Sequence, residues 1–347
     1  MANNDWQEYQ FIQGAVFNNE AISSFGNIEN ELVCTQSQNV ICDLSHLGLL
    51  EISGDDALTF LQGQVTNDVK LLQGNSAHYT GYCSPKGRLL ALFFAFTHQQ
   101  KLHLQLNHRL LEPIAKRLKM YIMRSKVSLN NVSDNLVKIG LNGQDIPRLL
   151  APFFKEIPAK VYESINTESA TLIRLAGSVP RFEVICDTAQ AKTIWQALKA
   201  QCKPVGKDCW EWLEIQAGIP DIVTQTQEEF VPQMVNLDLL NAINFKKGCY
   251  TGQEIVARTH YLGKVKRRTH LAHLNTSTPP QAGNDVLNAN DEVVGKLVRS
   301  APAPNGGYET LAEIRLESVE TGNLSVNGVQ LAFKQLPYEL NAVADNK

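Results

Sequence analysis

The sequence contains no hydrophobic run long enough to span a membrane. Its most apolar stretch covers only residues 89–96, whereas a transmembrane helix needs about 20 consecutive apolar residues. The N-terminus is polar and acidic, unlike the basic and apolar regions of a secretory signal or the Arg-rich pattern of a transit peptide. We therefore expect a cytoplasmic protein that does not associate with membranes.

Paired cysteines are also missing. The seven cysteines are an odd number and none of them forms a C-x-x-C pair, which argues against a zinc knuckle or a local run of iron–sulfur ligands. Scattered cysteines in a chain without a secretory signal favour a reducing compartment. His270 and His273 have no third candidate ligand nearby in the sequence, so we expect no metal site.

The chain has no excess of positive charge and no G-x-G-x-x-G or Walker A motif. It carries 32 Lys and Arg residues against 35 Asp and Glu residues, so we expect no stable direct binding of nucleic acid. Lys264, Lys266, Arg267 and Arg268 form a local basic cluster. Such a cluster is usually a solvated face, and the alternative is a site for an anionic ligand tail or an acidic partner. RNA is a weaker alternative, because no aromatic residues interleave with these charges.

Strand and helix patterns are mixed along the chain, which predicts an α+β fold. Alternation with a period of two marks strands, and an apolar period of 3.6 residues marks helices. The predicted strands include 31–34, 39–44, 47–53, 77–83 and 89–97, and the predicted helices include 57–62, 110–122 and 207–217. The turn 84–87 joins two of these strands into a hairpin. After about residue 265, short strands alternate with turn clusters, which predicts a small β-barrel.

A capping pattern marks the start of a short helix near residue 251. The sequence Thr251-Gly252-Gln253-Glu254 has the form T-x-x-E and precedes three apolar residues, which is typical of a capping box. It predicts Thr251 as the N-cap of a helix that runs to about His260 and ends at Leu262-Gly263.

Cys249 lies two residues before this predicted cap. The positive end of the helix dipole and the preceding Lys246 and Lys247 both favour a thiolate over a thiol. Gly248 and Gly252 allow a close backbone approach or a positive φ. The segment therefore indicates an anion-binding loop or a reactive-thiol loop, and the alternative is a well-capped helix with a buried, inert cysteine.

The same segment carries a resemblance to a known family. The octapeptide Lys247-Gly248-Cys249-Tyr250-Thr251-Gly252-Gln253-Glu254 resembles the signature of the YgfZ family, which belongs to the GcvT-like aminomethyltransferase superfamily. Further stretches resemble this group between about residues 40 and 340; they are 61–68, 84–88, 123–127, 230–233, 236–237 and 255–258.

The resemblance implies a three-domain ring around a central tetrahydrofolate site, with a small C-terminal β-barrel. It also implies a role in the synthesis or repair of iron–sulfur enzymes, including those that thiolate tRNA, so folate and such enzymes are the implied partners. Residues 1–30 carry little pattern, so we expect a loosely attached N-terminal arm there. The remaining chain is expected to divide into a folate-binding core at 31–126 and 206–264, a second α+β subdomain at 127–205, and the barrel at 265–340.

The resemblance also implies two folate-contacting positions. Two tryptophans are credited with this contact in the relatives, and they correspond to Trp210 and to a position near Leu47. This chain has a leucine in place of the second tryptophan, so the stacking contact is missing there, although a leucine can still pack against a pterin face. The alternative role of Trp210 is a core anchor of its amphipathic helix, and Trp212 is a rival for either role.

The catalytic relatives place an aspartate on the strand after the hairpin glycine, and this chain has none in 87–92. A general acid or base must reach the proton that it moves, so we do not expect conventional aminomethyl transfer. The first hypothesis is a folate-binding accessory protein in which Cys249 acts as a nucleophile, a sulfur or cluster contact, or a redox-sensitive thiol. The alternatives are a one-carbon transferase with an acid relocated to Glu254 or Asp68, and a non-catalytic interaction scaffold.

Overall fold

A computed structural model describes residues 4–19 and 21–340 of the chain. The chain divides into two compact units. Unit 1 comprises Met1–Ala57, Leu71–Ala77 and Phe94–Leu213, and unit 2 comprises Leu58–Lys70, His78–Phe93 and Glu214–Lys347. Each unit is therefore assembled from segments that are distant in sequence. The division into an arm, a core, a second subdomain and a barrel stays a prediction.

Helices are interspersed with runs of one or more strands along the described residues. The helices are α1 (Asn4–Ile12), α2 (Ile28–Ser37), α3 (Ala57–Gln62), α4 (His108–Lys119), α5 (Ile146–Leu150), α6 (Thr188–Leu198), α7 (Lys207–Gln216), α8 (Gln253–Tyr261) and α9 (Leu316–Thr321), with short 3-10 helices at Val69–Gly74, Thr224–Thr226 and Pro232–Val235. In the part of the chain that the structure describes, no helix is both long and apolar enough to cross a bilayer.

The strands are mostly short and lie in both units. In chain order they are β1 (Val16–Asn18), β2 (Ala21–Ser24), β3 (Val40–Asp43), β4 (Leu47–Ser53), β5 (His78–Cys83), β6 (Leu89–His98), β7 (Lys101–Asn107), β8 (Ser128–Asn131), β9 (Val137–Asn142), β10 (Ser164–Asn166), β11 (Ala170–Leu175), β12 (Arg181–Cys186), β13 (Lys203–Val205), β14 (Arg267–Leu274), β15 (Asp285–Leu287), β16 (Val293–Pro302), β17 (Tyr308–Arg315), β18 (Ser325–Val326) and β19 (Val329–Lys334).

Unit 1 contains a six-stranded sheet in the order β10-β11-β12-β9-β3-β13. Its pairs are antiparallel except for β13 and β3, which are parallel. Every residue of the central strands β9 and β12 is buried, which is typical of strands covered on both faces. The apolar face of α6 packs on this sheet, with Ile194 and Trp195 in the same buried cluster as Ile139 and Phe182.

The N-terminal segment of unit 1 is packed rather than loosely attached. Trp6 on α1 is buried, its Nε1 donates to Asp43 at 3.0 Å, and its ring meets the edge of Trp195 with centroids 5.7 Å apart. This differs from the loose arm that we expected at 1–30. Aromatic pairs of this kind add about 0.5–1.5 kcal/mol beyond area burial, so α1 is held by specific contacts.

The strand expected at 31–34 is wrong, because this stretch lies within α2. The Asn27 side chain accepts from the backbone N–H of Asn30 at 2.9 Å, which caps the helix. The buried Glu31 carboxylate accepts from the backbone N–H of Phe25 at 2.7 Å and of Gly206 at 2.9 Å. Capping and a satisfied buried carboxylate outweigh the short apolar run that suggested a strand.

A second sheet in unit 1 joins β4 to β7 and β8, and residues 94–98 of β6 extend it on the far side of β7. The strand bounds of β4 agree with the prediction at 47–53. The predicted apolar stripe of α4 is confirmed at Leu110, Leu111, Ile114 and Leu118, which are buried. The prediction carried the helix and its stripe on to Tyr121 and Ile122, but α4 ends at Lys119 and Tyr121 is 41% exposed. A Cβ on Gly48 would lie 2.4 Å from Leu111 Cδ1, so glycine allows α4 to approach β4 closely.

Unit 2 contains the predicted hairpin turn and the predicted barrel. The turn between β5 and β6 is closed by a bond from the Gly87 N–H to the Ser84 carbonyl at 2.8 Å. The C-terminal strands form a closed barrel in the order β14-β17-β16-β15-β18-β19, and Leu297 and Ile314 lie in its core. The predicted α+β class with a C-terminal β-barrel is confirmed.

Candidate functional site

The signature loop, residues 246–254, is anchored in unit 2 by the ammonium group of Lys247. Lys247 Nζ donates to the carbonyl oxygens of Gln62 at 2.7 Å, Val65 at 2.6 Å and Asn67 at 2.8 Å. These carbonyls belong to the stretch 61–68, which is the other motif that resembles the family. One side chain therefore joins two motifs that are far apart in sequence.

Lys247 is buried, and its ammonium group binds backbone carbonyls instead of facing solvent. Burial lowers the pKa of Lys247 to about 8, and the nearby Asp68 carboxylate opposes this shift. A buried ammonium is stable only when its three donors are satisfied, and the three carbonyls satisfy them. Of the two lysines that we expected to favour a Cys249 thiolate, only Lys246 keeps its side chain exposed.

Polar side chains of the stretch 61–68 hold it against its neighbours in unit 2. Thr66 Oγ1 donates to the Ala242 carbonyl at 2.7 Å and accepts from the Gly81 N–H at 2.7 Å. Asn67 Nδ2 donates to the Tyr79 carbonyl at 3.1 Å. The sequence analysis did not select Thr66 or Asn67 as site residues, although both lie in the stretch 61–68 that resembles a motif of the family. They fix the carbonyls to which Lys247 donates.

The capping box predicted at Thr251 is wrong. The N-cap of α8 is Gly252, with φ +83°, and no side chain caps the helix. A Cβ on Gly252 would lie 2.4 Å from the Ser84 carbonyl oxygen and 2.9 Å from Gly87 Cα. The loop presses its glycine against the β5–β6 turn in a left-handed conformation that favours glycine, and this contact moves the helix start by one residue.

The end of α8 agrees with the prediction. The backbone N–H groups of Leu262 and Gly263 both donate to the Arg258 carbonyl at 3.0 Å. The Phe245 ring, which precedes the signature loop, stacks on His260 with centroids 3.7 Å apart. This stack joins the start of the loop to the last turn of α8, so Cys249 belongs to a closed and anchored segment.

Cys249 is exposed, while the other six cysteines are buried. The alternative of a buried, inert cysteine is therefore excluded at this position. The neighbouring Tyr250 is buried, and burial raises its pKa well above its ordinary value, with a further contribution from Cys83. Burial also raises the pKa of Cys83 to about 12. Cys249 is thus the thiol that a reagent or partner can reach.

Trp210 and Leu47 belong to unit 1. Trp210 is only 2% exposed, and the Arg181 guanidinium lies 4.1 Å from its ring centroid. A Cβ on Gly140 would lie 2.5 Å from Trp210 Cζ3, so the indole is tightly packed, as the core-anchor alternative describes. Trp212 is also buried, and Leu47 is half-buried on β4. The folate contact of Trp210 and Leu47 stays a prediction.

The proposed replacement acids have other roles in the structure. Asp68 Oδ1 accepts from Gln62 Nε2 at 3.0 Å and from the Lys70 N–H at 3.1 Å, which makes it a turn residue. Glu254 is exposed in the first turn of α8. At the start of β6, Leu89 and Ala91 are fully buried. The described residues contain no group of three His, Cys, Asp or Glu that is arranged to hold a metal ion.

The basic cluster near residue 265 divides into structural and exposed members. Arg268 forms a buried bidentate pair with Asp238, at 2.5 and 2.9 Å, and Arg267 pairs with Glu313. Lys264 and Lys266 are exposed. The interpretation of the cluster as one solvated face is therefore correct only for the two lysines.

A comparison with protein families matches residues 6–247 to the family described as the GCVT N-terminal domain. Among solved structures, the glycine cleavage system aminomethyltransferase T from Bartonella henselae aligns with a TM-score of 0.80 at 16% identity, covering 96% of each chain. At this identity the likeness concerns the fold, and it agrees with the α+β class and the GcvT-like architecture.

Two curated relatives extend the match over most of the chain. The tRNA-modifying protein YgfZ of Pectobacterium carotovorum subsp. carotovorum (strain PC1) is 30% identical over 321 residues, covering 89% of this chain and 94% of that protein. The protein of the same name from Yersinia pestis (strain Pestoides F) is 30% identical over 306 residues, covering 86% and 92%. The chain belongs to the YgfZ family of the GcvT-like superfamily.

Proposed function

We propose that this protein is a tetrahydrofolate-binding accessory factor that supports tRNA modification through the synthesis or repair of iron–sulfur enzymes, such as those that thiolate tRNA. The observation that carries the proposal is the exposed Cys249 on a loop whose backbone is locked by the buried Lys247. Membership of a family whose curated relatives are named as tRNA-modifying proteins supports the same function.

An accessible and fixed sulfur is what the three roles considered for Cys249 have in common. Nucleophilic attack, contact with a sulfur or cluster, and redox exchange each require that a partner reaches the sulfur atom. The hydrogen bonds of Lys247 and the close contact of Gly252 with the β5–β6 turn fix the loop on both sides of Cys249. The chain's own residues therefore present Cys249, and the partner supplies the iron–sulfur chemistry.

A rescue experiment tests the role of Cys249. In a bacterial strain that lacks its own YgfZ protein, the wild-type chain is expected to restore thiolated tRNA, measured by mass spectrometry of nucleosides. Cys249→Ala is expected to abolish the rescue, whereas Cys202→Ala, at a buried cysteine of unit 1, is expected to retain it. Full rescue by Cys249→Ala would remove the proposed mechanism.

Trp210 is poorly placed to stack on the pterin ring of a folate. The Arg181 guanidinium covers one face of this ring and little of the indole is exposed. Leu47 keeps part of its surface accessible, so an apolar contact with folate fits Leu47 better. Trp210 would then support unit 1 from within rather than contact the ligand.

Isothermal titration with tetrahydrofolate tests this assignment. We expect the wild-type chain to bind, Leu47→Ala to bind about fivefold more weakly through the loss of about 1 kcal/mol of apolar contact, and Trp210→Phe to stay within about twofold where it remains folded. No binding by the wild-type chain at high micromolar tetrahydrofolate would favour the non-catalytic scaffold.

The one-carbon transferase alternative is tested by direct assay. The strand segment 87–92 carries no acid, and leucine or alanine cannot move a proton at a folate nitrogen. We therefore expect no formaldehyde or methylene-tetrahydrofolate from aminomethyl donors. Steady turnover that Glu254→Gln or Asp68→Asn abolishes would favour a transferase with a relocated acid.

A further inference from the structure

The outer face of α8 exposes apolar side chains beside the Cys249 loop. Leu262 is 84% exposed, Tyr261 is 56% exposed and Ile255 is 38% exposed. Val256 points to the inner side of the helix, where it is buried, and its carbonyl accepts from Gln233 Nε2 at 2.7 Å. The buried side fixes α8 in unit 2, so its apolar outer side is presented to solvent as a rigid surface.

The same segment carries exposed cations. Lys246, Arg258, Lys264 and Lys266 are exposed, and within residues 4–19 and 21–340 none of the four takes part in an ion pair. Glu254 is the acid of the segment 245–266. The Phe245–His260 stack brings the loop that carries Lys246 to the last turn of α8. Exposed cations therefore outnumber the single exposed acid, Glu254, on this segment.

We propose that this surface docks an acidic segment of a protein partner that carries apolar side chains, and that docking delivers the partner's reactive group to Cys249. We name it the α8 surface and define it by Lys246, Ile255, Arg258, Tyr261, Leu262 and Lys264. The proposal rests on the proposed function, because it identifies the class of partner that the Cys249 site serves.

Charge complementarity sets the acidic character of the partner. Unpaired cations on a surface steer an oppositely charged segment and raise its rate of association. Apolar and aromatic side chains with arginine are typical of protein–protein interfaces. The α8 surface combines both features, so a segment with alternating acidic and apolar side chains matches it.

Single-stranded RNA matches the surface less well. Stacking of bases requires free aromatic faces, and the Phe245 and His260 rings are stacked on each other with an interplanar angle of 11°. Tyr261 meets both rings with its plane steeply inclined. The most exposed side chain, Leu262, is aliphatic and offers nothing to a base. The observations favour a protein segment.

Disulfide exchange at Cys249 provides the test. The probes are two synthetic peptides with the same apolar residues, one with Asp and Glu at the intervening positions and the other with Lys. Each ends in a cysteine that is activated as a mixed disulfide with thionitrobenzoate. The Cys249 thiolate attacks the peptide sulfur, a Cys249–peptide S–S bond forms, the peptide–thionitrobenzoate S–S bond breaks, and the coloured thionitrobenzoate thiolate leaves with the electron pair.

At low salt the acidic peptide is expected to react about tenfold faster than the basic peptide, because of electrostatic steering. The ratio is expected to approach one at high salt, where the charges are screened. Arg258→Glu combined with Lys264→Glu is expected to reverse the preference. Leu262→Ser, which leaves the charges in place, is expected to slow the acidic peptide at both salt concentrations.

Matched controls isolate the surface. Lys116→Glu combined with Lys119→Glu reverses two exposed charges on α4 in unit 1 and is expected to leave the preference unchanged. Cys249→Ser is expected to stop the reaction, because the remaining cysteines are buried. Equal rates for the two peptides at low salt, or an unchanged preference in the Arg258 and Lys264 variant, would overturn the proposal. So would stronger inhibition of the exchange by oligouridine than by the unactivated acidic peptide.

Two further measurements separate this proposal from the proposed function. The Arg258 and Lys264 variant is expected to bind tetrahydrofolate as the wild-type chain does, yet to fail to restore thiolated tRNA. Full rescue by this variant would overturn docking at the α8 surface. If the wild-type chain binds no tetrahydrofolate but the peptide preference holds, the folate function fails and the α8 surface stands.

Discussion

Lys247 Nζ donates to the carbonyl oxygen of Val65 at 2.6 Å, across 182 positions of sequence. This bond and its two companions to Gln62 and Asn67 hold the Cys249 loop against a stretch that is fixed by its own side chains. The position of the exposed thiol therefore depends on a buried cation that does not itself face solvent.

Lys247→Met is expected to destabilise unit 2. The substitution keeps a similar apolar stem but leaves buried carbonyl oxygens without their donor, and an unsatisfied buried acceptor costs about 1–3 kcal/mol. Removal of the desolvated charge offsets part of this, so we expect the free energy of unfolding to fall by about 2 kcal/mol. Urea unfolding followed by far-UV circular dichroism measures it.

Lys246→Met is the matched control for this substitution. Lys246 is exposed and precedes the anchored residue directly, so its replacement is expected to change the free energy of unfolding by less than about 0.5 kcal/mol. Equal losses in the two variants would contradict an anchoring role for Lys247.

The two glycines of the signature loop are expected to respond differently to alanine. Gly252 has φ +83°, and a Cβ there would meet the Ser84 carbonyl oxygen at 2.4 Å, whereas a Cβ on Gly248 would have no heavy atom within 4 Å. Left-handed backbone costs about 1–2 kcal/mol for a residue with a Cβ, and the backbone clash adds to this.

We therefore expect Gly252→Ala to lower the free energy of unfolding by at least about 2 kcal/mol. Gly248→Ala is expected to stay within about 0.5 kcal/mol of the wild-type chain. Both values come from the same urea titrations. A tolerant Gly252 together with an intolerant Gly248 would show that the loop does not press on the β5–β6 turn as described.

Thr251→Ala is expected to have almost no effect on stability. Its side chain makes no capping bond to α8, so the loss is expected to be below about 0.5 kcal/mol, compared with about 1 kcal/mol for a residue that caps a helix. Asn27→Ala on α2 provides the comparison, because the Asn27 side chain accepts from the Asn30 N–H at 2.9 Å. A larger loss at Thr251 than at Asn27 would restore the capping box that the sequence pattern suggests.

Much of the fold could be predicted from the sequence where the local pattern and the packing agree. The bounds of β4 and α3 match the predicted ranges 47–53 and 57–62, because strict apolar patterning and a following glycine define both elements. The range 31–34 was predicted as a strand and is helical. There the capping bond of Asn27 and the remote partner of Glu31, the Gly206 N–H, outweigh four residues of local pattern.

The candidate site was predicted less completely, because its key contacts join distant segments. The family resemblance located the Cys249 loop, but the three carbonyls that hold Lys247 come from residues 62–67. No local pattern could have shown that this lysine is buried. The T-x-x-E pattern misled for the same reason, since the contact that fixes Gly252 comes from the hairpin turn at Ser84.

A buried histidine in unit 1 makes stability depend on pH. His103 is 1% exposed, stacks on Phe96 with centroids 5.6 Å apart, and places Nδ1 3.1 Å from the Lys101 carbonyl oxygen. Burial lowers the pKa of His103 to about 4, and the hydrogen bond with the Lys101 carbonyl opposes this shift. His98 and the Lys101 side chain also lower the pKa of the ring, whereas Glu51 raises it. The folded protein therefore holds this ring neutral in a range where an unfolded chain protonates it.

The sign of the pH effect follows from the protons bound in each state. Between about pH 6.5, the pKa of an unfolded histidine, and pH 4, the unfolded chain binds a proton at His103 that the folded chain does not. The contribution of His103 to the free energy of unfolding is therefore full above about pH 6.5. As the pH is lowered from 6.5 towards 4, this contribution decreases by about 1.4 kcal/mol per pH unit.

His103→Phe keeps a ring against Phe96 and cannot titrate, so the loss of stability on going from pH 7 to pH 5 should be about 2 kcal/mol smaller in this variant. The four tryptophans, Trp6, Trp195, Trp210 and Trp212, all lie in the segments of unit 1, so urea unfolding followed by tryptophan fluorescence measures the unit that contains His103. Identical pH dependence in the wild-type chain and the variant would show that the ring is protonated as easily in the folded state as in the unfolded one.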